Sequence, residues 1–470
     1  MRTGRLVPSI IGGAVFMQTL DAFVIANALP TMARALATDS LTLSLAITTY
    51  IISTAVFLPV SGWMADRFGA RTVFSVAIAI FALSSLLCGV AETLPELIGG
   101  RMIQGAAGAL MTPVGRLVLL RTVPKSELVQ AMSYVAIPAV LGPVLGPPLG
   151  GFIVTYSSWR WIFFINLPIG LLGVLLTLLY VPNIRETATA PLDRRGFVLT
   201  GLGLAGLVYG LDNLGKTVIP LPVVLVMLAV GTLCLTLYTR HARARPDAII
   251  DLKLLERPTF LAAIAGGLFS RLVMGASPYL LALQLQEGFG LSAFTAGLLT
   301  FVSAAGALVM KTVAPPILAF FGFRRVLIAN TVISGVIFMG YALFRPDTPQ
   351  LIIMATLLLG GFFRSLQNTS LDTLVYADIP QNLMSRASSL SSIGQQLARS
   401  FSVALAAILV QLVQAQHGSS GPLTAADVAP AFVGVGAASM LSMLFFLPLA
   451  SDAGDSISGR PASVPPKQLS

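Results

Sequence analysis

Long apolar stretches separated by short polar connections run through most of the chain. A helix needs about 20 residues to cross the roughly 30 Å hydrocarbon layer of a bilayer. The apolar stretches have about this length, so the pattern predicts membrane-spanning helices. The fourteen predicted spans are 7–29, 44–64, 73–91, 96–118, 129–154, 161–181, 197–214, 218–238, 260–285, 292–318, 326–344, 350–374, 386–412 and 429–449.

Composition supports the same fold class. Of the 470 residues, 56% are hydrophobic and 10% are charged, whereas a soluble protein carries about 25% charged residues. The chain therefore lacks the polar surface that a water-facing globule requires. We predict an all-α integral membrane protein with fourteen transmembrane helices.

The distribution of positive charge predicts the orientation. Because the number of spans is even, both termini lie on the same side of the membrane, and the loops on that side contain nineteen Lys and Arg residues. The opposite loops contain four, namely Arg34, Arg160, Lys216 and Arg345. Cytoplasmic loops accumulate Lys and Arg, so both termini are predicted to be cytoplasmic. This explains most of the net charge of +10, and we expect no nucleic-acid partner because no basic stripe is interleaved with aromatic residues.

Motifs that would indicate an enzyme or an ATP-driven pump lie in unsuitable places. The segment Gly210–Thr217 matches the phosphate-loop pattern, but an apolar helix precedes it and prolines follow it, where such a loop requires a strand and a helix. Cys88 and Cys234 lie in apolar runs, and both histidines lack neighbours at ligand spacing. We therefore expect no enzyme activity, no metal site and no cofactor.

Ionisable residues within the spans are few, and most of them are basic. A charge at the centre of a bilayer costs about 2.5–3.5 kcal/mol on insertion scales, so these side chains should face a bundle interior or a water-filled cavity. Snorkelling to the membrane surface is the alternative for Lys311 and Arg116. The cations are Arg101, Arg271, Lys311, Arg364 and Arg399, with Arg116 nearer an end, and the acids that oppose them are Asp21 and Asp372.

Asp21 is the candidate proton-coupling residue. It follows Gln18 by three residues, so the two side chains share one face of the first helix. Burial favours a protonated carboxyl group and a nearby cation favours the carboxylate, so a group held between these states can accept a proton on one side and release it on the other. A structural Asp hydrogen-bonded between helices is the alternative.

Two weak internal repeats suggest two related halves. The spacing Arg101-x-x-Gln104 in the fourth span recurs as Arg364-x-x-Gln367 in the twelfth, and Gly69-Ala70-Arg71 is echoed by Gly322-Phe323-Arg324. Repeats of parallel sense are found in secondary transporters. The predicted domains are a six-helix bundle at 1–181, a linker with two inserted helices at 182–257, a second six-helix bundle at 258–450 and a disordered tail at 451–470.

The fifth span is rich in glycine and proline. Gly142, Gly146 and Gly150 recur every four residues, which predicts a groove where another helix backbone approaches closely. Pro143 and Pro147 remove backbone donors and bend the helix. Such a helix suits a moving seal between the halves, and a static kink is the alternative.

Five segments in order resemble the signatures of the fourteen-helix drug:proton antiporter branch of the major facilitator superfamily, along nearly the whole chain. Through Met111–Leu117 the chain most resembles the multidrug-resistance transporter D type of this branch. The five segments are Leu20–Pro30, Gly62–Arg71, Arg101–Gly105, Gly142–Gly151 and Trp159–Gly170.

The resemblance implies a major facilitator fold of two six-helix bundles plus two inserted helices, with alternating access by rocking of the halves. It implies that Asp66 and Arg67 help to latch the cytoplasmic side and that Arg101 tunes proton coupling at Asp21. The predicted gating residues are Gly62, Asp66, Arg67, Gly69, Arg71, Gly142, Pro143, Gly146, Pro147, Gly150 and Gly151. The predicted substrate cavity comprises Gln18, Gln104, Arg271, Lys311, Arg364, Gln367, Asp372, Gln395 and Arg399.

The leading hypothesis is a monomeric, proton-driven antiporter that exports small organic compounds or drugs across a bacterial cytoplasmic (inner) membrane. Relatives that export cationic drugs carry further acids in the C-terminal half, where this chain offers Asp372 beside four cations. An exporter of an organic anion such as citrate is therefore the alternative, because basic side chains in a dry cavity bind carboxylates well. The partners expected are a small-molecule substrate, protons and the lipid bilayer.

Overall fold

The computed structural model describes residues 3–38, 40–186, 190–214, 219–245, 247–416 and 424–458, and within them it contains helices and no strand. The helices of the N-terminal group are α1 Thr3–Ala35, α2 Ser40–Phe57, α3 Ser61–Phe68, α4 Ala70–Val90, α5 Leu94–Thr122, α6 Leu128–Tyr156, α7 Trp161–Phe164 and α8 Asn166–Tyr180. Two helices follow, α9 Arg194–Asn213 and α10 Leu221–Arg243. The C-terminal group comprises α11 Pro258–Leu261, α12 Gly267–Ser270, α13 Leu272–Ala282, α14 Ala293–Phe321, α15 Phe323–Gly340, α16 Gln350–Leu374, α17 Met384–Gln416, α18 Ala425–Met440 and α19 Met443–Phe446.

The predicted spans coincide with helices, and this is a multi-pass membrane protein. Among the described residues, thirteen helical segments are long and apolar enough to cross a bilayer. The predicted span 197–214 is the helix α9, which is not among the thirteen. That α9 crosses the membrane remains a prediction.

The ninth predicted span is an irregular helix. Between α11 and α12 lies a π-helical segment, Ala262–Gly266, and a second one, Leu283–Gly288, follows α13. Arg271 occupies the break between α12 and α13. π-Helical turns often occur at functional sites, so this irregularity draws attention to Arg271.

Helices of each group pack mainly on one another. In the N-terminal group α1 packs against α6 and α5 lies between α2 and α4, whereas in the C-terminal group α14 packs against α16 and α13 against α17. Helix α9 packs on α10 and also contacts α2 and α17, so it touches both groups. The domain boundaries at 181 and 257 remain predictions.

Asp193 fixes the base of the α9–α10 pair. Its carboxylate accepts hydrogen bonds from the backbone N–H of Gly196 at 3.0 Å and of Ile249 at 3.4 Å, and it contacts His241 Nε2 at 2.9 Å. Burial raises the pKa of Asp193, but these donors outweigh burial and hold its pKa below the usual value. The side chain thereby caps α9 and joins it to the end of α10.

The two groups of helices meet at the end of the molecule where α3 ends and α17 begins. Helix α17 contacts α3 and α5 of the N-terminal group, and α6 contacts α14 and α16 of the C-terminal group. Part of the predicted disordered tail also lies at this end. Residues 455–458 form a short helix, α20 Asp455–Ser458, that packs against α6 and α14. The prediction of disorder is wrong for 451–458, because Ile457 is fully buried among apolar neighbours. The remainder of the tail lies outside the described residues.

The repeated loop motif has the same backbone conformation in both groups. Gly69 ends α3 with φ +92° and Gly322 ends α14 with φ +76°, and each directly precedes the next long helix. Such φ values favour glycine over residues with a Cβ atom. The two copies of the motif therefore form equivalent tight connections.

Candidate functional site

A buried polar network occupies the centre of the N-terminal group, and Asp21 is its acceptor. Asp21 Oδ2 accepts a hydrogen bond from Arg101 Nη1 at 2.5 Å, and Oδ1 accepts one from Gln104 Nε2 at 3.0 Å and one from Asn166 Nδ2 at 3.0 Å. Gln104 and Asn166 also donate to Ser85 Oγ, at 2.7 and 3.2 Å. Asp21 is 1% exposed and Arg101 is 0% exposed, so the ion pair lies in the bundle interior.

Four helices bring this network together. Arg101 and Gln104 lie three residues apart on α5 and therefore face α1 side by side, while Ser85 comes from α4 and Asn166 begins α8. The Arg101 guanidinium also lies over the Tyr50 ring, 4.3 Å from its centroid. Since no single helix supplies more than two of these groups, a change in helix packing would alter the hydrogen bonds to Asp21.

Gln18 belongs to a second polar row beside this network. It donates through Nε2 to the Gly108 carbonyl oxygen at 3.1 Å and accepts from Thr112 Oγ1 at 2.9 Å. The Tyr50 hydroxyl lies 3.4 Å from Gln18 Nε2. Gln18 and Asp21 therefore share the α5-facing side of α1, as their spacing predicts.

A second cluster lies in the C-terminal group around Asp372. Arg271 donates through Nη2 to Asp372 Oδ1 at 2.9 Å and through Nε to Asn368 Oδ1 at 3.3 Å. Asn368 and Gln395 donate to the same carboxylate at 3.1 and 3.2 Å. The one predicted acid of this group is therefore bound by three donors.

The other predicted cations of the C-terminal group have neutral partners. Lys311 is 4% exposed and donates to Thr369 Oγ1 at 2.6 Å. Arg364 donates to the hydroxyls of Ser277 and Ser303. Among the described residues, no carboxylate forms an ion pair with Lys311 or Arg364.

Arg399 and Gln367 occupy different environments. Arg399 is exposed and donates to Gln396 Oε1 at 2.7 Å. Gln367 is buried inside the C-terminal group, where it accepts from Asn330 and donates to Thr331. That the nine predicted residues line one substrate cavity remains a prediction.

The contact between the two groups uses the predicted loop signature. Asp66 Oδ2 accepts from Ser385 Oγ at 2.5 Å, and Asp66 Oδ1 accepts from Arg121 Nη2 at 2.8 Å. The Gly62 N–H donates to Ser389 Oγ at 3.0 Å. Ser388 Oγ donates to the Pro113 carbonyl oxygen at 2.9 Å, so three positions of one turn of α17 contact the N-terminal group. Asp66 thus joins α3 to α17, and Arg67 beside it is exposed.

The linker after α8 covers the same loop signature. Arg121 also forms an ion pair with Glu186 at 2.9 Å, and the Ile184 carbonyl accepts from the Ala70 N–H at 3.1 Å. A Cβ atom on Gly69 would clash with the side-chain amide of Asn183. A glycine at this position therefore lets the linker approach. Arg71 is partly buried and is the second residue of α4.

The glycine spacing on α6 matches a close helix contact, as predicted. A Cβ atom on Gly142 would meet Thr19 and Leu20, and one on Gly146 would lie 2.8 Å from Phe23 Cβ. The contacted residues all lie on α1, within one helical turn of Asp21. Pro143 and Pro147 lie within α6, which continues as one helix from Leu128 to Tyr156.

We expect Gly150→Ala to destabilise the protein by about 1–3 kcal/mol, since the added methyl group would lie 2.7 Å from the Val24 carbonyl oxygen and overpacking has costs of this size. Gly151 has nothing within 4 Å of its Cβ position, so Gly151→Ala is the matched control. Thermal unfolding in detergent measures both. Equal melting temperatures for the two variants would contradict the close contact.

Several functional candidates were not predicted from the sequence. Asn166 is a polar residue in a mostly apolar span, and this contrast could have marked it as a candidate functional residue. Ser385, Ser388 and Ser389 lie in a serine-rich segment without periodicity, and nothing in their spacing indicated a partner. Within the described residues, no group of three or more His, Cys, Asp or Glu side chains could hold a metal ion.

The helical architecture, the loop signature between α3 and α4, and the buried network on α1 and α5 define a major facilitator transporter. A family model described as the Major Facilitator Superfamily matches residues 11–403, so the chain belongs to this superfamily. Its members are transporters, a class without enzyme activity, and they generally need no cofactor.

Two curated bacterial proteins are similar to this chain over most of their length. The chain is 39% identical over 408 residues to the "Putative multidrug resistance protein MdtD" of Pectobacterium atrosepticum, which covers 87% of each protein. It is 39% identical over 413 residues to the protein of that name from Escherichia coli K12, again covering 87% of each.

Solved structures agree in fold. The human organic anion transporter MFSD10 (TETRAN) gives a TM-score of 0.64 at 15% identity over 95% of this chain and 99% of that chain. The proton:xylose symporter XylE gives 0.66 at 15% identity over 97% of each.

Proposed function

We propose that this transporter is a proton-coupled antiporter that exports small organic compounds by alternating access. The observation that carries the proposal is the buried Asp21 carboxylate, which is held by Arg101, Gln104 and Asn166 between α1, α5 and α8. Protonation would remove the negative charge that Arg101 needs as a buried partner. The hydrogen bonds that join four helices would therefore reorganise when a proton binds.

The contact between the helix groups supports the alternating-access part of the proposal. The groups touch through Asp66, Gly62 and the start of α17, at the end that carries the basic loops. If that end is cytoplasmic, as the charge pattern predicts, the described conformation is closed to the cytoplasm. Because Asp21 is buried here, proton exchange would occur when the helices rearrange. We propose a monomer in the bacterial cytoplasmic membrane with both termini inside.

Cargo-induced proton release tests this function. Ethidium, chloramphenicol and citrate, as cationic, neutral and anionic probes, would be added to purified protein in weakly buffered detergent solution containing a pH indicator. We expect at least one probe to release protons from the wild type and none to do so from Asp21→Asn. Asp347→Asn, in an exposed loop, is the matched control. Equal release from wild type and Asp21→Asn would remove Asp21 from the role.

Export of an organic anion is the second candidate function. Lys311 and Arg364 lack acidic partners among the described residues, and Arg399 is exposed, so this region attracts negative charge. Arg271→Ala should then reduce citrate efflux from loaded vesicles more than chloramphenicol efflux. Equal reductions for both probes would count against an anionic cargo.

A further inference from the structure

A small, partly enclosed cavity lies inside the C-terminal group of helices, and its walls carry two guanidinium groups. Arg271 and Arg364 line it together with Ser334, Gln367 and Asn368. It has room for about one group the size of a water molecule. In this conformation a space of this size suits a small ion better than the body of an organic cargo.

The two guanidinium groups are unequally neutralised. Arg271 has Asp372 as its counter-charge at 2.9 Å, but that carboxylate also accepts hydrogen bonds from Asn368 and Gln395. Arg364 has the Ser277 and Ser303 hydroxyls, which accept hydrogen bonds and carry no charge. Arg364 is half-buried, and no carboxylate among the described residues forms an ion pair with it, so one positive charge at this cavity lacks a counter-charge.

We propose that the cavity binds a monoatomic anion, chloride under ordinary conditions, between Arg271 and Arg364. Charge-assisted hydrogen bonds from guanidinium groups are stronger than neutral ones, and a guanidinium has five N–H donors, of which Arg364 uses two for its serine partners. The Ser334 hydroxyl, on the facing helix α15, also lines the space.

The spacing of the donors supports this assignment. Arg364 and Asn368 lie four residues apart on α16 and therefore share one face of that helix. Arg271 approaches the same space from the break between α12 and α13. A bound halide would supply the counter-charge that Arg364 lacks and would reduce the excess of cations in this group by one. The proposal does not depend on proton coupling or on the direction of transport.

Thermal unfolding at constant ionic strength tests the site. Sodium gluconate would be replaced stepwise by sodium chloride or bromide in a solution of purified wild-type protein. We expect a melting temperature that rises and then saturates with either halide, because a ligand that binds only the folded state stabilises it. Arg364→Gln should abolish the rise, and Arg345→Gln, in an exposed loop, should retain it. A wild type insensitive to halide, or an unchanged response in Arg364→Gln, would overturn the proposal.

Two further measurements distinguish a halide from a carboxylate in the cavity and provide a test that does not depend on the folding of Arg364→Gln. Sodium acetate in place of the halides asks whether a carboxylate uses the cavity; a saturating, Arg364-dependent rise with acetate and none with halides would overturn the halide assignment. If Arg364→Gln does not fold, wild-type crystals soaked in bromide decide the question. An anomalous peak between Arg271 and Arg364 would support the site, and an empty cavity at saturating bromide would refute it.

Discussion

Arg101→Ala is expected to abolish transport and to lower stability by about 3–5 kcal/mol, the usual cost of removing one partner from a buried ion pair. The variant would leave the Asp21 carboxylate, which is 1% exposed, without a cation and with two amide donors. It would also remove the planar contact with Tyr50. Thermal unfolding in detergent and uptake by proteoliposomes measure the two effects.

The double variant Asp21→Asn/Arg101→Gln is the control for this prediction. Because neither partner then carries a charge, most of the lost stability should return, since the large cost arises from leaving one buried charge alone. Transport should remain absent. Arg101→Ala with wild-type stability and uptake would show that the ion pair contributes neither to the fold nor to transport.

Gly62→Ala is expected to weaken the closed contact between the two groups of helices. The added methyl group would lie 2.7 Å from the Ser385 carbonyl oxygen and 2.7 Å from Ser389 Oγ, so α3 and α17 would have to separate. A cost of about 1–3 kcal/mol from overpacking would shift the balance between conformations by about 5- to 150-fold. Labelling of a cysteine introduced at Ser388, which faces the contact, should become faster.

Gly99→Ala is the matched control, since nothing lies within 4 Å of its Cβ position. It should leave the labelling rate at position 388 unchanged. An unchanged rate in Gly62→Ala as well would contradict the contact between α3 and α17 as the closing surface.

The sequence predicted those features that follow from local spacing. Apolar runs separated by breaks predicted the helices, and the four-residue spacing of Gly142, Gly146 and Gly150 predicted a close helix contact, because small residues on one face decide how near another backbone can approach. The side-by-side placement of Arg101 and Gln104 followed from helical geometry in the same way.

Partners brought together by tertiary packing could not be predicted. Asn166 is 145 residues from Asp21, and their hydrogen bond depends on how α8 packs against α1. Ser385 contacts Asp66 across 319 residues through a small side chain that fits many environments. The ordered residues 451–458 escaped prediction because Ile457 lies in a polar segment and becomes buried only when α6 and α14 are in place.

Coupling between a pH gradient and cargo accumulation tests the central proposal most directly. One pH unit supplies about 1.4 kcal/mol per proton, enough for about a tenfold concentration ratio of a neutral cargo exchanged for one proton. Wild-type protein in liposomes should concentrate a transported probe when the gradient is imposed. Asp21→Asn, reconstituted with the same amount of folded protein as the wild type, should still exchange labelled for unlabelled probe. It should not concentrate the probe when the pH gradient is imposed. Undiminished gradient-driven accumulation by Asp21→Asn would contradict the account.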